Sequence, residues 1–584
     1  MASDQLDTSI AYGIFEDTIF LSVSARPPPA SAGSTVFVRF CLSNGVISRC
    51  AEPPLKLSEK AHGIAGASKV GGSWALVLIT NTEQVGVIRG SEIRRVLATH
   101  VLALPASGSG EPGDTDLGRL ELLRAGLSPK VYGEGLYYAR GSDLTASLQR
   151  QSEGPRRREG ARQFLWNAHL VAPFDGAGLG GAVERLIMGS VRVARGLEWP
   201  RGGETIRGSV AVVSRRSTRR AGCRHWRRGA SAEGHAANFV ETEQIVCLED
   251  GGSEPEAVAS FVQVRGSIPI LWMQPPDLRF KPRTHIGPDA ASCAALARHF
   301  EDLHEQYGKV TVLSLVSASG AEGRLQEAFV RALGELGASS HLDAPTQLRF
   351  DVHSECGALA NSGFAEKLLR KVEPHLDSTG IFFQSGGEVR QRQGGVVRTN
   401  CFDSLDRTNM AQAVLAGRVL GRALGLLGVP GQSALPEPLR RLWAEHGDEL
   451  ARQYAGTGAM KSHFTRTGRV SLLGLADDLR KATLRYFRNC FEDGRKQDAI
   501  DAVLGNEDED GGPNPARAPP PLPVLPGWQA MLLIAISAAG TSLLASRGSW
   551  PAVALAVATV AALAARAPAA ICRPTLCPAA HKQW

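Results

Sequence analysis

The chain has 584 residues, of which 43% are hydrophobic and 21% are charged. This composition is typical of globular proteins, and the length allows two or three domains that each bury a core. The formal net charge of +7 favours acidic partners only weakly. The ten cysteines show no short paired spacings up to about residue 500, which excludes a disulfide framework or a zinc site there and fits a reducing compartment.

The first part of the chain, residues 1–188, is predicted to be a mostly β domain. β-Branched and aromatic residues dominate Thr35–Phe40 and Trp74–Thr80, and pairs such as Asn44-Gly45 supply turns. Leu117–Ala125 has the periodicity of a helix. The first ten residues lack the basic and then apolar pattern of a secretory signal. No catalytic chemistry is evident in this region.

A dense cationic run lies near the start of the second predicted domain, residues 189–505. An exposed loop, a nuclear-import patch or a nucleic-acid surface would each explain such a run. No nucleic-acid-binding fold signature accompanies it, so no nucleic-acid partner is expected. A surface for anionic lipid head groups is the further interpretation, since a basic residue near a charged membrane contributes about 1 kcal/mol. The family resemblance of the neighbouring segments, given below, favours it. The members of the run are Arg215, Arg216, Arg219, Arg220, Arg224, Arg227 and Arg228.

From residue 291 onwards, amphipathic helical segments alternate with short apolar β segments. This alternation predicts an α/β layered domain with its functional loop at the carboxyl end of a strand. The predicted helices are Ala291–Tyr307, Glu322–Leu336, Phe364–Val372 and Met410–Leu427, and the predicted strands are Val310–Val316, Gln347–Val352, Gly380–Gln384 and Val396–Asn400.

The last of these strands leads into a Cys-x5-Arg loop. Cys401 follows the strand, and Arg407 and Thr408 open the next helix. A strand, tight loop and helix point backbone N–H groups and a helix N-terminus into one concavity that suits a phosphate. The same dipoles and Arg407 would stabilise a Cys401 thiolate, and the guanidinium fork can hold two phosphate oxygens. The Thr408 hydroxyl can steady the sulfur as a leaving group.

Two acids lie inside this loop, Asp403 and Asp406. An acid there opposes phosphate binding unless it has a role, and a carboxylic acid near the leaving oxygen can protonate it. We favour Asp406 slightly for this role because it adjoins Arg407, and either residue remains a candidate. The loop therefore predicts a cysteine-dependent phosphatase that needs no metal or other cofactor.

The pattern C-x-D-x-x-D-R-T resembles the signatures of two phosphoinositide phosphatase families, the Sac-domain enzymes and the myotubularins. The flanking segments, including Arg398-Thr399-Asn400, look like the Sac form, although Ser404 stands where Sac domains commonly carry a second cysteine. Further Sac-like blocks extend from Asp143 to Gly505, whereas the myotubularin likeness covers only the loop. By this resemblance, the phosphate-binding residues are expected to be Phe402, Ser404, Leu405, Asn409 and Arg398.

Another Sac-like block, Asp351–Cys356, contains a histidine at a predicted strand end. His353 is a candidate for orienting the phosphate loop, and a hydrogen-bonded core histidine is the alternative interpretation.

The C-terminal segment predicts membrane attachment. An acidic and proline-rich linker, residues 506–527, precedes two apolar runs in residues 528–566 and a tail of residues 567–584. The runs approach the ~20 apolar residues that a helix needs to span a bilayer, so we expect a two-span hairpin, with a single span as the alternative. Basic residues after the second run favour a cytosolic tail, and short spans suit a thin membrane such as the endoplasmic reticulum.

The sequence thus predicts an α/β phosphatase domain after a mostly β domain and before a transmembrane hairpin. Resemblance to the membrane-anchored Sac enzymes of the endoplasmic reticulum and Golgi implies hydrolysis of phosphatidylinositol 4-phosphate, with other monophosphates open. The expected partners are phosphoinositide lipids and an anionic membrane surface, with the catalytic domain in the cytosol. A phosphoprotein phosphatase and a catalytically idle lipid-binding adaptor are the alternatives.

Overall fold

A computed structural model describes residues 10–24, 35–51, 53, 56–103, 114–154, 160–249, 257–277, 279, 281–339, 345–356, 363–429, 435–467 and 471–506. The predicted hairpin and tail, and all of the predicted linker after residue 506, lie outside these ranges. Within them, none of the helices combines the length and the apolar character needed to cross a bilayer.

The chain begins with a small antiparallel sheet of five strands. These are β1 Ile10–Phe15, β2 Thr18–Ser24, β3 Thr35–Cys41, β4 Ile47–Cys50 and β5 Glu59–Ala61. Their order across the sheet is β4-β3-β2-β1-β5. Leu21 and Phe40 of this sheet pack with Leu76 and Phe174 in one apolar cluster. The mostly β character predicted for the N-terminal region is confirmed.

A second, larger sheet contains thirteen strands. Its order is β17-β16-β20-β13-β12-β11-β10-β9-β8-β7-β6, with β18 and β19 attached beside β13. β17, β16, β20 and β13 are parallel neighbours, and the other pairings are antiparallel. The strands are β6 Gly63–Val70, β7 Ser73–Ile88, β8 Ser91–Ala103, β9 Leu136–Arg140, β10 Ile187–Arg201, β11 Glu204–Arg216, β12 Val240–Glu249, β13 Ala257–Arg265, β16 Lys309–Ser314, β17 Thr346–Arg349, β18 Phe382–Ser385, β19 Glu388–Gln391 and β20 Gly395–Asn400; β14 Trp272–Met273 and β15 His285–Ile286 form a separate ribbon.

The predicted boundary between residues 188 and 189 falls inside β10. The large sheet therefore runs without a break from the N-terminal region into the region of the Cys-x5-Arg loop. The predicted domains 1–188 and 189–505 share this sheet, and β9 and β10 join the two parts through Tyr137 and Ile187.

The helices cover the sheet. They are α1 Asp114–Leu127, α2 Leu148–Ser152, α3 Ala168–Gly176, α4 Asp289–Tyr307, α5 Gly320–Ser339, α6 Val352–Cys356, α7 Phe364–Thr379, α8 Asp406–Leu426, α9 Glu437–Ala455, α10 Ser462–Thr467, α11 Leu472–Phe491 and α12 Asp493–Leu504, with short 3-10 helices at Gly160–Phe164 and Gly180–Ala182. The predicted helices and strands after residue 291 are all present with shifted ends. α7 continues beyond the predicted Val372, past Pro374, because Leu368, Val372 and Leu376 form one buried stripe.

The strand β20 lies at the centre of the core. All six of its residues are buried, and successive side chains point to opposite faces of the sheet. Val397 packs with Met410 and Leu415 of α8 on one face, whereas Val396 packs with Phe300 and Phe329 of α4 and α5 on the other. This arrangement confirms the predicted α/β layering and places the end of β20 where Cys401 begins the loop.

The cationic run does not form the predicted lipid-facing surface, and that prediction is wrong for its buried members. Arg215 pairs with Glu241 at 3.1 Å and with Glu243 at 2.8 Å, while Arg227 pairs with Asp501 at 3.1 Å. Buried charges need such partners, and these partners come from distant strands and helices that a local sequence window does not contain. Four arginines of the run are almost fully buried: Arg215, Arg216, Arg227 and Arg228.

Candidate active site

A tight turn between β20 and α8 shapes the Cys-x5-Arg loop. Cys401 follows β20 directly and is 2% exposed. Ser404 adopts a left-handed backbone conformation with φ of 52°, which is uncommon for a residue other than glycine. Its hydroxyl donates to the carbonyl oxygen of Gly266 at 2.5 Å and to that of Cys401 at 3.3 Å. These bonds hold the turn against the end of β13.

The loop presents backbone donors that no acceptor in the described part of the chain occupies. The N–H groups from Phe402 to Leu405 form no hydrogen bond with another described residue. The first N–H groups of α8, at Asp406 to Thr408, precede its first intrahelical bond, which Asn409 donates to Leu405 at 2.7 Å. Free N–H groups at the start of a 21-residue helix make an anion-binding site.

Five loop residues line one cavity of about 1160 Å³: Cys401, Phe402, Asp403, Asp406 and Arg407. This cavity is slightly larger than the range of about 300–1,000 Å³ usual for small-molecule sites. The wall carries seven Lys or Arg side chains against four carboxylates, so it favours an anionic ligand. The seven cations are Arg224, Lys281, Arg283, Arg324, Arg407, Lys461 and Arg485, and the four acids are Glu322, Asp403, Asp406 and Asp478.

Arg407 is held by an acid that sequence reasoning missed. Two of its guanidinium nitrogens each donate to Glu322 at 2.8 Å, and one also donates to the carbonyl oxygen of Leu315 at 3.1 Å. Burial disfavours the charge, but the negative charges of Cys401 and Glu322 outweigh it and raise the pKa of Arg407. In this structure Glu322 therefore binds the two terminal guanidinium nitrogens of Arg407, which the sequence predicted to bind phosphate.

A second guanidinium lies beneath the loop. Arg265, at the end of β13, is fully buried and donates to the Asn409 side chain and to His446 Nε2, the latter at 3.3 Å. Burial lowers the pKa of Arg265 to about 9, and the charge of Cys401 opposes that shift. Arg265 is therefore cationic at neutral pH. Arg265 and Arg407 thus both place positive charge near Cys401.

Asp403 is bound by two arginines of the cationic run. Arg224 donates to both of its oxygens, at 3.0 and 2.8 Å, and Arg228 approaches one oxygen at 2.6 Å. Burial raises the pKa of Asp403, but Arg224 and Arg228 outweigh this effect and hold the pKa well below its usual range. Asp403 is therefore ionised at neutral pH.

Asp406 has a different environment as the first residue of α8. One oxygen accepts from the backbone N–H of Met460 at 2.7 Å, and the other accepts from Arg485 at 3.1 Å. One guanidinium and one amide thus contact Asp406, whereas two guanidinium groups contact Asp403. The two acids line the same cavity, and different groups bind them.

Two further predicted site residues are Phe402, which follows Cys401 directly, and Thr408, in the first turn of α8. The Phe402 ring lines the cavity and lies 5.2 Å from the Trp272 ring, centroid to centroid. The Thr408 hydroxyl is buried and has no hydrogen-bond partner among the described residues. Thr408 is fully buried and does not belong to the described cavity wall, although an unpaired buried hydroxyl is costly.

The remaining predicted residues support the loop from behind, outside the described cavity wall. Arg398 is fully buried and donates to His299 Nε2 at 2.9 Å and to the Ser267 carbonyl oxygen at 2.7 Å. Leu405 packs in an apolar cluster with Tyr454. Ser404 bonds to Gly266, and Asn409 to Arg265, as described above. The side chain of His353 lies outside the described part of the structure.

Sequence reasoning did not identify three wall residues that contact the loop. Glu322 comes from α5, Arg224 from the cationic run and Arg485 from α11. Each lies far from Cys401 along the chain. The one available signal was the cationic run itself, and its charge was assigned to a membrane surface.

Comparisons with known proteins agree with this geometry. A protein-family model described as the SacI homology domain matches residues 62–357. Phosphoinositide phosphatase SAC7 of Arabidopsis thaliana is 35% identical over 459 residues, which cover 76% of this chain and 74% of that protein. Phosphatidylinositol-3-phosphatase SAC1-B of Danio rerio is 33% identical over 473 residues, 78% of this chain and 77% of that protein.

Part of a much longer protein is also similar. Synaptojanin-1 of Homo sapiens is 34% identical over 448 residues, which cover 74% of this chain and 26% of that protein. The family match ends at residue 357, before Cys401, and each of the first two relatives shares about three quarters of its own length with this chain. The chain therefore belongs to the Sac-domain family of phosphoinositide phosphatases.

Proposed function

We propose that the chain hydrolyses phosphatidylinositol 4-phosphate to phosphatidylinositol and inorganic phosphate through a cysteinyl-phosphate intermediate. The observation that supports this proposal is the single cationic cavity onto which Cys401, Arg407 and two carboxylates open. No metal or other cofactor takes part in the proposed steps, because guanidinium groups and loop amides supply the positive charge.

In the first step the Cys401 thiolate attacks phosphorus, and the bond from phosphorus to the inositol oxygen breaks. The free loop N–H groups and Arg407 hold the phosphoryl oxygens. Asp406, in its protonated form, gives its proton to the departing oxygen. We assign this role to Asp406 and not to Asp403, because two guanidinium groups keep Asp403 ionised.

In the second step water attacks phosphorus, and the sulfur–phosphorus bond breaks. The Asp406 carboxylate takes a proton from the water, which restores its acid form. The Thr408 hydroxyl, which has no partner in the described structure, donates to the departing sulfur. Phosphate leaves, and the Cys401 thiolate is regenerated beside Arg265 and Arg407.

The proposal also specifies that the phosphate is removed from position 4 of the inositol ring. Relatives from Danio rerio and Drosophila melanogaster carry the name phosphatidylinositol-3-phosphatase. The 3-phosphate and 5-phosphate are therefore compared directly with the 4-phosphate in the test below.

We also propose that residues 528–566 anchor the enzyme in the membrane of the endoplasmic reticulum or Golgi. The residues before this hairpin would form the linker, 506–527, and those after it a cytosolic tail, 567–584. Both ends of a hairpin lie on one side, so the catalytic part would face the cytosol. An anionic membrane surface would then be its second partner beside the lipid substrate.

A catalytically idle lipid-binding adaptor is the second candidate. One observation favours it: Arg407 and Asp403 are both paired with protein groups in this state. A phosphoprotein phosphatase is a weaker alternative, because the family relatives are phosphoinositide phosphatases.

The test measures phosphate release by the full chain in detergent from short-chain phosphatidylinositol 3-, 4- and 5-phosphates. We expect the fastest release from the 4-phosphate and none from any lipid with Cys401→Ser, whose folding is checked by circular dichroism. A Cys401→Ser protein with full activity would exclude the thiolate mechanism. Lipid binding by the wild type without phosphate release would support the adaptor.

A further inference from the structure

An exposed apolar ridge extends outward from the cavity along α11. Leu473, Leu475 and Leu479 are 81%, 43% and 65% exposed. In the described structure, three of the ten exposed large hydrophobic side chains fall within these seven residues. Single exposed apolar residues are ordinary, whereas a cluster of them marks an interaction surface. Leu473 lies on the opposite side of α11 from Leu475 and Leu479, because each residue turns an α-helix by about 100°. We call Leu475 and Leu479 the leucine ridge.

The ridge is continuous with the cavity wall. Leu475, Leu479, Ala482 and Tyr486 follow the i, i+4, i+7, i+11 spacing that places residues on one side of a helix. The inner two, Ala482 and Tyr486, line the cavity. The outer two are exposed leucines, so a molecule that contacts the ridge also reaches the mouth of the cavity.

Cations without carboxylate partners lie at the same mouth. Lys281 and Arg283, between β14 and β15, and Arg324, near the start of α5, line the cavity and are exposed. Within the described ranges none of the three forms an ion pair. Two acids lie between the leucines of the ridge. Asp477 pairs with Arg480 and Lys481 at 2.8 Å each, and Asp478 accepts from the Lys461 N–H at 2.9 Å.

These features fit one occupant, the surface of an anionic phospholipid bilayer. Exposed leucines bury themselves at the boundary between head groups and acyl chains, and basic residues are attracted to anionic lipids. A substrate that stays in its bilayer can reach Cys401 only if the mouth of the cavity faces that bilayer. A soluble ligand would not require exposed leucines beside the mouth of the cavity.

We propose that the leucine ridge, with Lys281, Arg283 and Arg324, docks the mouth of the cavity on an anionic bilayer. The leucines enter the interface, and the substrate head group rises into the cavity while its acyl chains stay in the membrane. This proposal rests on the proposed lipid phosphatase activity. It assigns the docking face to α11 and the rim of the cavity, independently of any anchor.

The first experiment compares two forms of the substrate with one preparation of enzyme. The full chain is reconstituted in phosphatidylcholine vesicles with or without phosphatidylserine, and receives either vesicle-borne or water-soluble short-chain phosphatidylinositol 4-phosphate. We expect the Leu475→Ser, Leu479→Ser double variant to hydrolyse the vesicle-borne form about tenfold more slowly and the soluble form at the wild-type rate. The matched control is Leu117→Ser, a leucine of α1 that is 48% exposed and should change neither rate.

A second variant tests the contribution of the cations at the mouth of the cavity. We expect the Lys281→Glu, Arg283→Glu double variant to lose most of the rate increase that phosphatidylserine gives the wild type on vesicles. An unchanged vesicle rate in the leucine variant would overturn the proposal. An equal loss on both substrates would also overturn it, because the leucines would then support the fold. A wild-type dimer that the leucine variant dissociates would assign the ridge to a second copy of the chain.

A second readout does not depend on turnover, so it separates failure of the docking proposal from failure of the proposed activity. Leu479→Trp adds fluorescence that phospholipids brominated on the acyl chains should quench, whereas Leu117→Trp adds fluorescence that they should not. Wild-type protein without phosphate release on either substrate would reject the enzymatic function alone. Absence of quenching at residue 479, with normal turnover of soluble substrate, would reject docking alone.

Discussion

Arg407 makes its closest charged contact with Glu322, across a bidentate ion pair. A planar guanidinium held at two points has a fixed orientation, so Glu322 orients Arg407 in the cavity. The Ser317 N–H, in turn, donates to Glu322 at 2.9 Å. Glu322 is thus a positioning residue, and the segment after β16 sets the geometry of an arginine that belongs to another helix.

We expect Glu322→Gln to lower kcat/KM about tenfold, because Arg407 loses the charge that holds its guanidinium in place. The measurement is steady-state hydrolysis of soluble phosphatidylinositol 4-phosphate. Glu327→Gln, an exposed acid of the same helix, should leave the rate unchanged. A higher kcat/KM in Glu322→Gln would show instead that Glu322 competes with phosphate for Arg407.

The two acids of the loop should differ in their dependence on the leaving group. Asp406→Asn removes the proposed proton donor, and general acid catalysis contributes about 10²–10⁴-fold. We expect a loss of that size on phosphatidylinositol 4-phosphate and a much smaller loss on an aryl phosphate, whose phenolate needs no proton. Asp403→Asn should affect both substrates similarly, since it disturbs Arg224 and Arg228. The reverse pattern would assign the acid to Asp403.

At the scale of elements, α9 supports the loop by approaching α8 closely at Gly447. A Cβ added there would lie 2.6 Å from Asn409 Nδ2, and Asn409 accepts a hydrogen bond from Arg265. Gly447 thus packs against Asn409, Asn409 binds Arg265, and Arg265 places its positive charge near Cys401. Close packing of two helices therefore fixes a cation of the site.

We expect Gly447→Ala to destabilise the fold by about 1–3 kcal/mol through overpacking and to lower activity by displacing Asn409. Gly425→Ala, also within a helix but with open space around its added Cβ, should stabilise by about 0.5–1 kcal/mol. Urea denaturation measures both changes. Equal stability of the two variants would show that α9 can shift away from α8 without cost.

Across the whole molecule, the C-terminal helix returns to the N-terminal region. A Cβ on Gly126 of α1 would lie 2.5 Å from the carbonyl oxygen of Ala499 in α12, so these two helices are in close contact. Arg227 joins the same region through its ion pair with Asp501. Residues more than 370 positions apart thus unfold together, and a buried group in α12 reports on global stability.

Asp493 is such a group, at the start of α12 and 1% exposed. Burial raises its pKa to about 7 from the ordinary value of 3.8. Between these pH values the folded protein keeps a proton that the unfolded chain has lost. The free energy of unfolding therefore falls as the pH rises from about 4 to above 7, by at most about 4 kcal/mol.

Asp493→Asn should remove this part of the pH dependence, because an amide does not ionise and still offers an oxygen to Asn489, which donates to Asp493 at 2.7 Å. We expect the variant to be more stable than wild type at pH 8 and similar at pH 4, by urea denaturation at both values. Asp377→Asn, whose carboxylate is 68% exposed, is the control. Equal stability of Asp493→Asn and wild type at pH 8 would contradict the prediction.

The sequence alone determined what depends on neighbouring residues. The β-branched run before Cys401 and the alanine- and leucine-rich run after Arg407 predict β20 and α8 locally, because strand and helix periodicities are properties of short windows. The loop between them therefore carried a phosphate-site prediction before any contact was known. The alternation after residue 291 predicted the α/β layers for the same reason.

The tertiary structure decided which charges meet. Arg224 and Arg228 look like membrane-facing charges in the sequence, yet they bind Asp403, which lies about 175 residues away. Glu322 and Arg485 reach the loop from separate helices. Ion pairing of buried groups depends on distances in space, and burial makes those pairs decisive for charge state. A one-dimensional pattern therefore predicts a nucleophile and its loop, whereas only the fold assigns the charged partners of the loop residues.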